Sequence, residues 1–333
     1  MKHLHTPVLL TAALVLLGAA ACTPVKRGEY AAGSATLFCD EGFRNILDEE
    51  IEVFEYSYPE ASIIPFYVSE SDAIDSLLAD KTQAIIVTQE LSKDQIKFMK
   101  AKHKRIVRTN CIAVDAVALS TNKDNPVQAL SVDEISDILN GKITHWNQLA
   151  APDTATIRIV FDHQGSSTVS YMRDRFMEGR MMSTNPNAYA QESNAQVFDV
   201  VKKDPNALGI ISVSWLGDDL QRASKVPLDR RVADYSNEAD TVATNLTTEV
   251  NILKVSNPTD NNDHDLTAYK PYQLYINSGE YPLFRKVYMI STASNSTVLH
   301  SFYVFVTGFV GQKIISRTGI MPYHVAARVV NLK

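Results

Sequence analysis

Cysteine is scarce in this chain, with three among 333 residues. So is any grouping of cysteine and histidine that would hold a metal. No CxxC or HExxH pattern occurs and the eight histidines are scattered, so neither a structural nor a catalytic metal is expected, and no cofactor is implied. Positive charge is not in excess either. Lys and Arg number 32 against 38 Asp and Glu, a formal net charge of −6, without the clustered basic residues that nucleic acid calls for. The apolar run Val8 to Leu17 is too short to cross a bilayer. Internal repeats and low-complexity blocks are absent. What the chain does have is 45% hydrophobic residues over a length that fills one large core or two ordinary ones, and two domains is the usual outcome.

Lys2, the apolar run and the small residues before Cys22, written GAAAC, come in the order of a secretory signal over residues 1–21. Small residues directly before a cysteine resemble the lipobox of bacterial lipoproteins, with Ala19 where such boxes usually carry Leu. That resemblance implies lipidation of Cys22 and a membrane anchor; an ordinary cleavage site with an incidental cysteine is the alternative. Residues 22–34 have the composition of a flexible tether. Beyond Cys22 only Cys39 and Cys111 remain. In an oxidising compartment they could pair, and free buried thiols are equally compatible with the sequence.

From Ala35 the chain alternates strands and helices, the pattern of an α/β layer with a largely parallel sheet. Ala35 to Cys39 reads as a strand. Phe43, Ile46, Leu47, Ile51 and Phe54 mark a helix whose acidic residues, Asp48, Glu49, Glu50, Glu52 and Glu55, read as a solvated face. Strands follow at Ile63 to Tyr67 and Ala84 to Val87. Ser69 caps a helix holding Ala73, Ile74, Leu77 and Leu78, and Ser92 with Gln95 forms a capping box. Cys111 to Leu119, CIAVDAVAL, is an apolar strand that crosses between domains. Ser131 and Glu134 form a second capping box, Val132, Ile135, Ile138 and Leu139 one helical face, and Gly141 the stop. Trp146 reads as packing. Val197, Val200 and Val201 mark a helix capped near Ser193, and a turn over Asp204 to Gly209 feeds a strand from Ile210 to Val213. Residues 217–271 are polar and turn-rich and read as surface connections. YPLFRKVYMI, from Tyr281, reads as a strand crossing back, and Leu299, Phe302, Tyr303, Val306, Phe309 and Val310 as one apolar helix. Two crossing strands make a hinge, and hinged lobes suggest a cleft that closes on a ligand.

Val160 to Met177, VFDHQGSSTVSYMRDRFM, concentrates the chemistry. Val169, Met172 and Phe176 define one helical face, so Ser166, Ser167 and Thr168 fall at the helix start after Gly165. There the first backbone N–H groups lack intrahelical partners and carry the positive end of the dipole. With three hydroxyls beside them they either form a receptacle for an oxyanion or are simply satisfied by a Ser/Thr cap.

Five segments together resemble the phosphate-binding proteins of bacterial ABC importers: DAVALSTNKDNPVQALSVDEISDILNGKITHWNQL from Asp115, GSST from Gly165, NALGIISVSW from Asn206, YPLFRKVYMI from Tyr281 and GQKIISRTGIMP from Gly311. The resemblance runs from about Ala35 to Pro322 and is most specific over Leu130 to Leu149. It implies an α/β chain with the type II periplasmic-binding-protein fold: two α/β lobes joined by two crossing strands around a ligand cleft. The lobes would be 35–113 plus 287–333, and 114–286. It also implies capture of phosphate or a related small oxyanion without catalysis, delivery to an ABC permease, and a place in the cell envelope as a lipid-anchored monomer.

Carried over residue by residue, the family's Ser-Gly-Thr becomes Ser166, Ser167 and Thr168, with a serine for the middle glycine. Where phosphate-binding members have an arginine three residues before the glycine, this chain has Asp162. The family's first loop, rich in Thr or Ser donors, corresponds to Phe38, Cys39, Asp40 and Glu41, and its proton-accepting aspartate to Thr88. The implied ligand shell is therefore Gly165, Ser166, Ser167, Thr168, Asp162, Thr88, Cys39 and Asp40. Two roles are open to Asp162, accepting a ligand's proton or capping a turn. A carboxylate about 4 Å from an anion costs roughly 4 kcal/mol at an effective dielectric of 20, so these changes bear on which anion fits. The acidic substitutions also motivate an alternative, an envelope interaction or sensing module on the same fold. A serine hydrolase using Ser166 or Ser167 is a third reading, for which the turn lacks a G-x-S-x-G elbow.

Overall fold

Strands and helices alternate from Gly33 to Thr121. A computed structural model describes residues 31–149, 154–217, 225–237, 245–257 and 268–324. The signal over residues 1–21, the lipidation site Cys22 and most of the tether lie outside the described residues.

The strands are β1 (Gly33–Asp40), β2 (Ala61–Val68), β3 (Ala84–Val87), β4 (Arg108–Thr121), β5 (Ala129–Ser131), β6 (Arg158–Phe161), β7 (Ala188–Ala190), β8 (Ala207–Ser212), β9 (Asn251–Ile252), β10 (Lys254–Ser256), β11 (Ala268–Tyr269), β12 (Phe284–Ser291) and β13 (Met321–Pro322). The helices are α1 (Arg44–Ser57), α2 (Glu70–Leu78), α3 (Lys93–Phe98), α4 (Val132–Leu139), α5 (Ser167–Phe176), α6 (Asn194–Lys203), α7 (Leu228–Ser236), α8 (Gln273–Asn277), α9 (Val298–Thr307) and α10 (Phe309–Arg317).

A mixed sheet in the order β2-β1-β3-β12-β4-β8-β6-β7 carries the fold. Its two ends are parallel, β1 with β2 and β3 at one end, β6 with β7 and β8 at the other. β3 and β8 are buried along their whole length, while β2 and β7, at the two edges, are partly exposed. Antiparallel β12 and β4 join them. Arg108 to Ala116 of β4 pairs with β12, while Val117 to Thr121 pairs with β8, so this one strand belongs to both halves. Its ten residues from Ile112 to Thr121 are all buried.

Serine caps start five helices as the sequence indicates. Ser69, Ser92, Ser131, Ser166 and Ser193 each accept from a backbone N–H three residues on, and both capping boxes are complete. Gly141 closes α4 with φ +74°, a left-handed conformation that favours glycine. Trp146 is core, its indole N–H donating to the Asn206 carbonyl at 3.3 Å.

Four expectations need correction. The apolar segment from Leu299 is two helices, α9 and α10, bent by 62° around Gly308. They turn back so tightly that a Cβ on Gly311 would lie 2.5 Å from the Phe305 carbonyl oxygen. Within residues 217–271 the chain forms α7, anchored by buried Tyr235 and Arg231, and three short strands, so the segment is not wholly surface connection. The strand read from Ile210 begins at Ala207. The acidic face of α1 is not all solvated: Glu49 and Glu50 are buried, because α9 and α10 pack on the same helix. Glu49 pairs with Arg231, while neither carboxyl oxygen of Glu50 has a hydrogen-bond partner, and burial pushes that carboxyl well up. Among the described residues Cys39 and Cys111 are both free, Cys39 in the core. Among the described residues no single helix is long and apolar enough to cross a membrane.

Candidate functional site

Strand β6 ends at Phe161 and the chain turns through Asp162 to Gly165 into α5. Val169, Met172 and Phe176 are buried on one face of α5, each contributing about 1.5–3 kcal/mol of apolar burial. This anchorage fixes where the helix start points. Ser166 is the cap: its Oγ accepts from the Val169 N–H at 3.1 Å and donates to Asp162 Oδ1 at 2.5 Å. Asn194, the first residue of α6, donates from Nδ2 to Asp162 Oδ2 at 3.0 Å and to Glu41 Oε2 at 3.4 Å.

The next amide has a partner from the other end of the sheet. The Ser167 N–H donates to Asp40 Oδ2 at 2.9 Å, and the other oxygen of Asp40 accepts from the Gly42 N–H, also at 2.9 Å. Asp40 closes β1, so this bond ties the end of β1 to the start of α5. A second tie lies beside it, where the Glu70 N–H donates to the Gly165 carbonyl at 3.2 Å. Gly165 is needed there, since a Cβ would lie 2.9 Å from the Cβ of Ser69.

A cation reaches the same place from β12. Arg285 and Asp115 are direct register partners across β12 and β4. Arg285 Nε and Nη2 donate to Asp115 Oδ2 at 3.1 and 2.9 Å, and Nη2 also donates to Thr168 Oγ1 at 3.2 Å. Ser212 donates to the other Asp115 oxygen at 2.9 Å. On the far side, Glu70 Oε1 accepts from the Thr88 N–H, the Thr88 hydroxyl at 2.8 Å and the Gln89 N–H at 3.2 Å.

The constellation is dry. Asp40, Asp115, Asp162, Ser166, Ser167, Thr168 and Asn194 are all 0% exposed, Glu70 2% and Arg285 6%. Burial is the main cause that pushes the carboxyls of Glu41, Glu70 and Asp115 above their usual range, and that of Asp162 up to about 7. The charge of Asp40 adds to the rise at Glu70 and Asp162, while Arg285 opposes it. Four polar atoms there have no hydrogen-bond partner among the described residues: Ser167 Oγ, Arg285 Nη1, Glu70 Oε2 and Asn194 Oδ1. Two of these are donors and three can accept, the hydroxyl doing both. Such atoms cost about 1–3 kcal/mol each when left unpaired.

Residues 27–309 match the family described as the PBP superfamily domain. The chain belongs to the PBP superfamily. Among curated relatives, it is 20% identical over 283 residues to the phosphate-binding protein PstS of Borreliella burgdorferi, covering 83% of this chain and 85% of the relative. It is 25% identical to PstS of Bacillus subtilis, over 66% of this chain and 74% of that one. Among solved structures, a substrate-binding protein of Clostridium perfringens with bound phosphate superposes with a TM-score of 0.66 at 20% identity, over 88% of this chain and all of the other. An ABC-type phosphate transport receptor from Vibrio cholerae gives 0.60 at 19%, over 87% and 100%. At these identities the structural likenesses establish the fold alone, and it is the type II fold that the resemblance implies.

Within this PBP superfamily chain, the residues singled out from sequence mostly converge. Gly165, Ser166, Ser167, Thr168, Asp162 and Asp40 share one buried cluster, and Thr88 joins it through Glu70. Cys39 does not: its side chain lies in the hydrophobic core, its thiol donating to the Asp40 carbonyl at 3.1 Å, because successive side chains of a strand point to opposite faces. Arg285, Asp115, Glu70 and Asn194 are missed by sequence reasoning. The signal for two of them is present, a lone aspartate inside CIAVDAVAL and an arginine inside YPLFRKVYMI, each in a strand otherwise destined for the interior. An arginine does reach Thr168, from β12 and not from the turn before Gly165.

Proposed function

We propose that this protein is an extracytoplasmic solute-binding protein that captures phosphate or a related small oxyanion at the start of α5, for import by an ABC-type permease. The observation that carries the reading is the pair of buried donors without partners, Arg285 Nη1 and Ser167 Oγ, flanking Thr168 at that helix start. A planar guanidinium, a hydroxyl and the positive end of a helix dipole are the donor set for a tetrahedral oxyanion. Glu70 Oε2 is an acceptor for a proton on the ligand, the part that the family resemblance assigned near Thr88. The names of the curated relatives and the family membership support the same reading. No bond is made or broken; Ser166, whose hydroxyl proton is engaged with Asp162, caps the helix start, and the hydroxyl offered to the ligand is that of Ser167.

The ligand would sit in a cleft between lobe 1 (35–113 plus 287–333) and lobe 2 (114–286), with residues 1–21 removed, Cys22 lipidated and the monomer tethered to the envelope. Isothermal calorimetry with phosphate, sulfate and organic phosphates tests the reading. Saturable heat and a raised Tm with at least one of them are expected; neither signal at millimolar anion would overturn it. A second reading, an interaction or sensing module with a differently tuned site, is favoured by one observation, the Asp40 carboxylate on the Ser167 N–H. Recovery of envelope proteins other than a permease in pull-downs would favour it, and recovery of a permease would count against it.

A further inference from the structure

The first amide of α5 is among the strongest attractors for an anion in this site, and an anion belonging to the chain already holds it. Asp40 reaches Ser167 N across 127 positions of sequence, is fully buried, and is aimed by the Gly42 N–H on its other oxygen. Its carboxylate does what a bound oxyanion would do there: it neutralises the helix start and bridges the end of β1 to α5. Yet it leaves the neighbouring donors, Ser167 Oγ and Arg285 Nη1, unpartnered. A residue that served only to cap the helix would leave no such remainder, and the cap role is filled by Ser166.

We propose that Asp40 is an internal competitor for the oxyanion site, standing on the Ser167 amide in the ligand's place and setting both the affinity and the charge of the anions admitted. This rests on the reading that an oxyanion binds at the start of α5. An incoming anion must either displace the carboxylate from Ser167 or bind beside it on Ser167 Oγ and Arg285 Nη1. Beside it, one negative charge about 4 Å away at an effective dielectric of 20 lowers affinity by roughly two to three powers of ten, and a dianion suffers about twice the logarithm. The site therefore takes singly charged, proton-bearing oxyanions in preference to fully ionised ones.

The test is calorimetric titration of the wild-type chain, Asp40→Asn and Asp40→Ala with phosphate and with sulfate, alongside thermal melts of each protein. Asp40→Asn keeps the side-chain shape and one acceptor, and covers the case in which Asp40→Ala fails to fold. Phosphate should bind at least about tenfold more tightly to the folded variants, and the sulfate-to-phosphate affinity ratio should rise in sulfate's favour. A purely structural aspartate would lower Tm and leave that ratio unchanged. Phosphate affinity unchanged or weakened in both variants, with wild type binding normally, overturns the competitor role and leaves the proposed function standing. Absence of binding in wild type and folded variants alike overturns both.

Discussion

The starts of α4 and α5 use the same device and differ in where the charge comes from. At α4 the Ser131 hydroxyl accepts from the Glu134 N–H at 3.2 Å, and Glu134 reaches back to the Ser131 N–H at 2.7 Å. Both residues are part-exposed, and the cap is closed within four residues of chain. At α5 the Ser166 hydroxyl makes the equivalent bond to Val169, but the third helical residue is valine and cannot reach back. The carboxylates instead come from Asp162 and Asp40, and a guanidinium from Arg285, with everything out of water. A serine at a helix start is thus a cap in both places. What separates the two is the buried charge brought to α5 from distant strands, on which the proposed anion site rests.

Arg285→Ala should break that contrast most severely. It strands Asp115 as a buried charge without its partner, at a cost of about 3–5 kcal/mol, to be read from chemical denaturation, and phosphate binding should be lost with it.

Asp162 offers a pH test of nearly the same size. Its carboxyl is raised from 3.8 to about 7, mainly by burial, so the folded state holds a proton that the unfolded chain releases. The stability this group contributes is complete below the unfolded value near 3.8 and is lost as pH rises through about 7, up to about 4 kcal/mol in all. Glu70, Glu41 and Asp115 are raised in the same direction. Asp162→Asn should flatten the pH dependence of Tm between pH 4 and 7 by its own share. An unchanged slope would mean that Asp162 does not titrate in this window.

Paired serine substitutions make the smallest and cleanest comparison. Ser167→Ala, which removes the unpartnered hydroxyl, should weaken phosphate binding about tenfold, equivalent to one charge-assisted hydrogen bond of roughly 1.5 kcal/mol. Ser131→Ala should cost about 1 kcal/mol of stability and leave anion affinity untouched. Equal effects of the two on binding would erase the distinction between the helix starts.

Local chemistry is what the sequence makes legible. Ser69, Ser92, Ser131, Ser166 and Ser193 announce their helices because a cap acts within three residues, and Ala84 to Val87 announces a buried strand by composition alone. Gly165 to Thr168 is visible as a helix start for the same reason. What stays hidden depends on register. Arg285 meets Asp115 only because β12 and β4 pair antiparallel in one alignment of residues 170 positions apart, and no local pattern encodes that choice. Glu70 looks like any acidic residue in a first helical turn until β3 delivers Thr88 against it. Glu49 and Glu50 look solvated because five acids share α1, and their burial follows from where α7, α9 and α10 happen to pack. Helix α7 escapes notice although Leu228, Arg231, Val232 and Tyr235 keep helical spacing, since its surroundings are polar.

The most direct measurement is a phosphate titration of isotope-labelled protein followed through backbone amide resonances. The account predicts large, saturable shifts at Ser167, Thr168 and Val169, with Val132, Asp133 and Glu134 at the start of α4 unmoved. Saturable binding with no shift at α5, or with equal shifts at both helix starts, would contradict it.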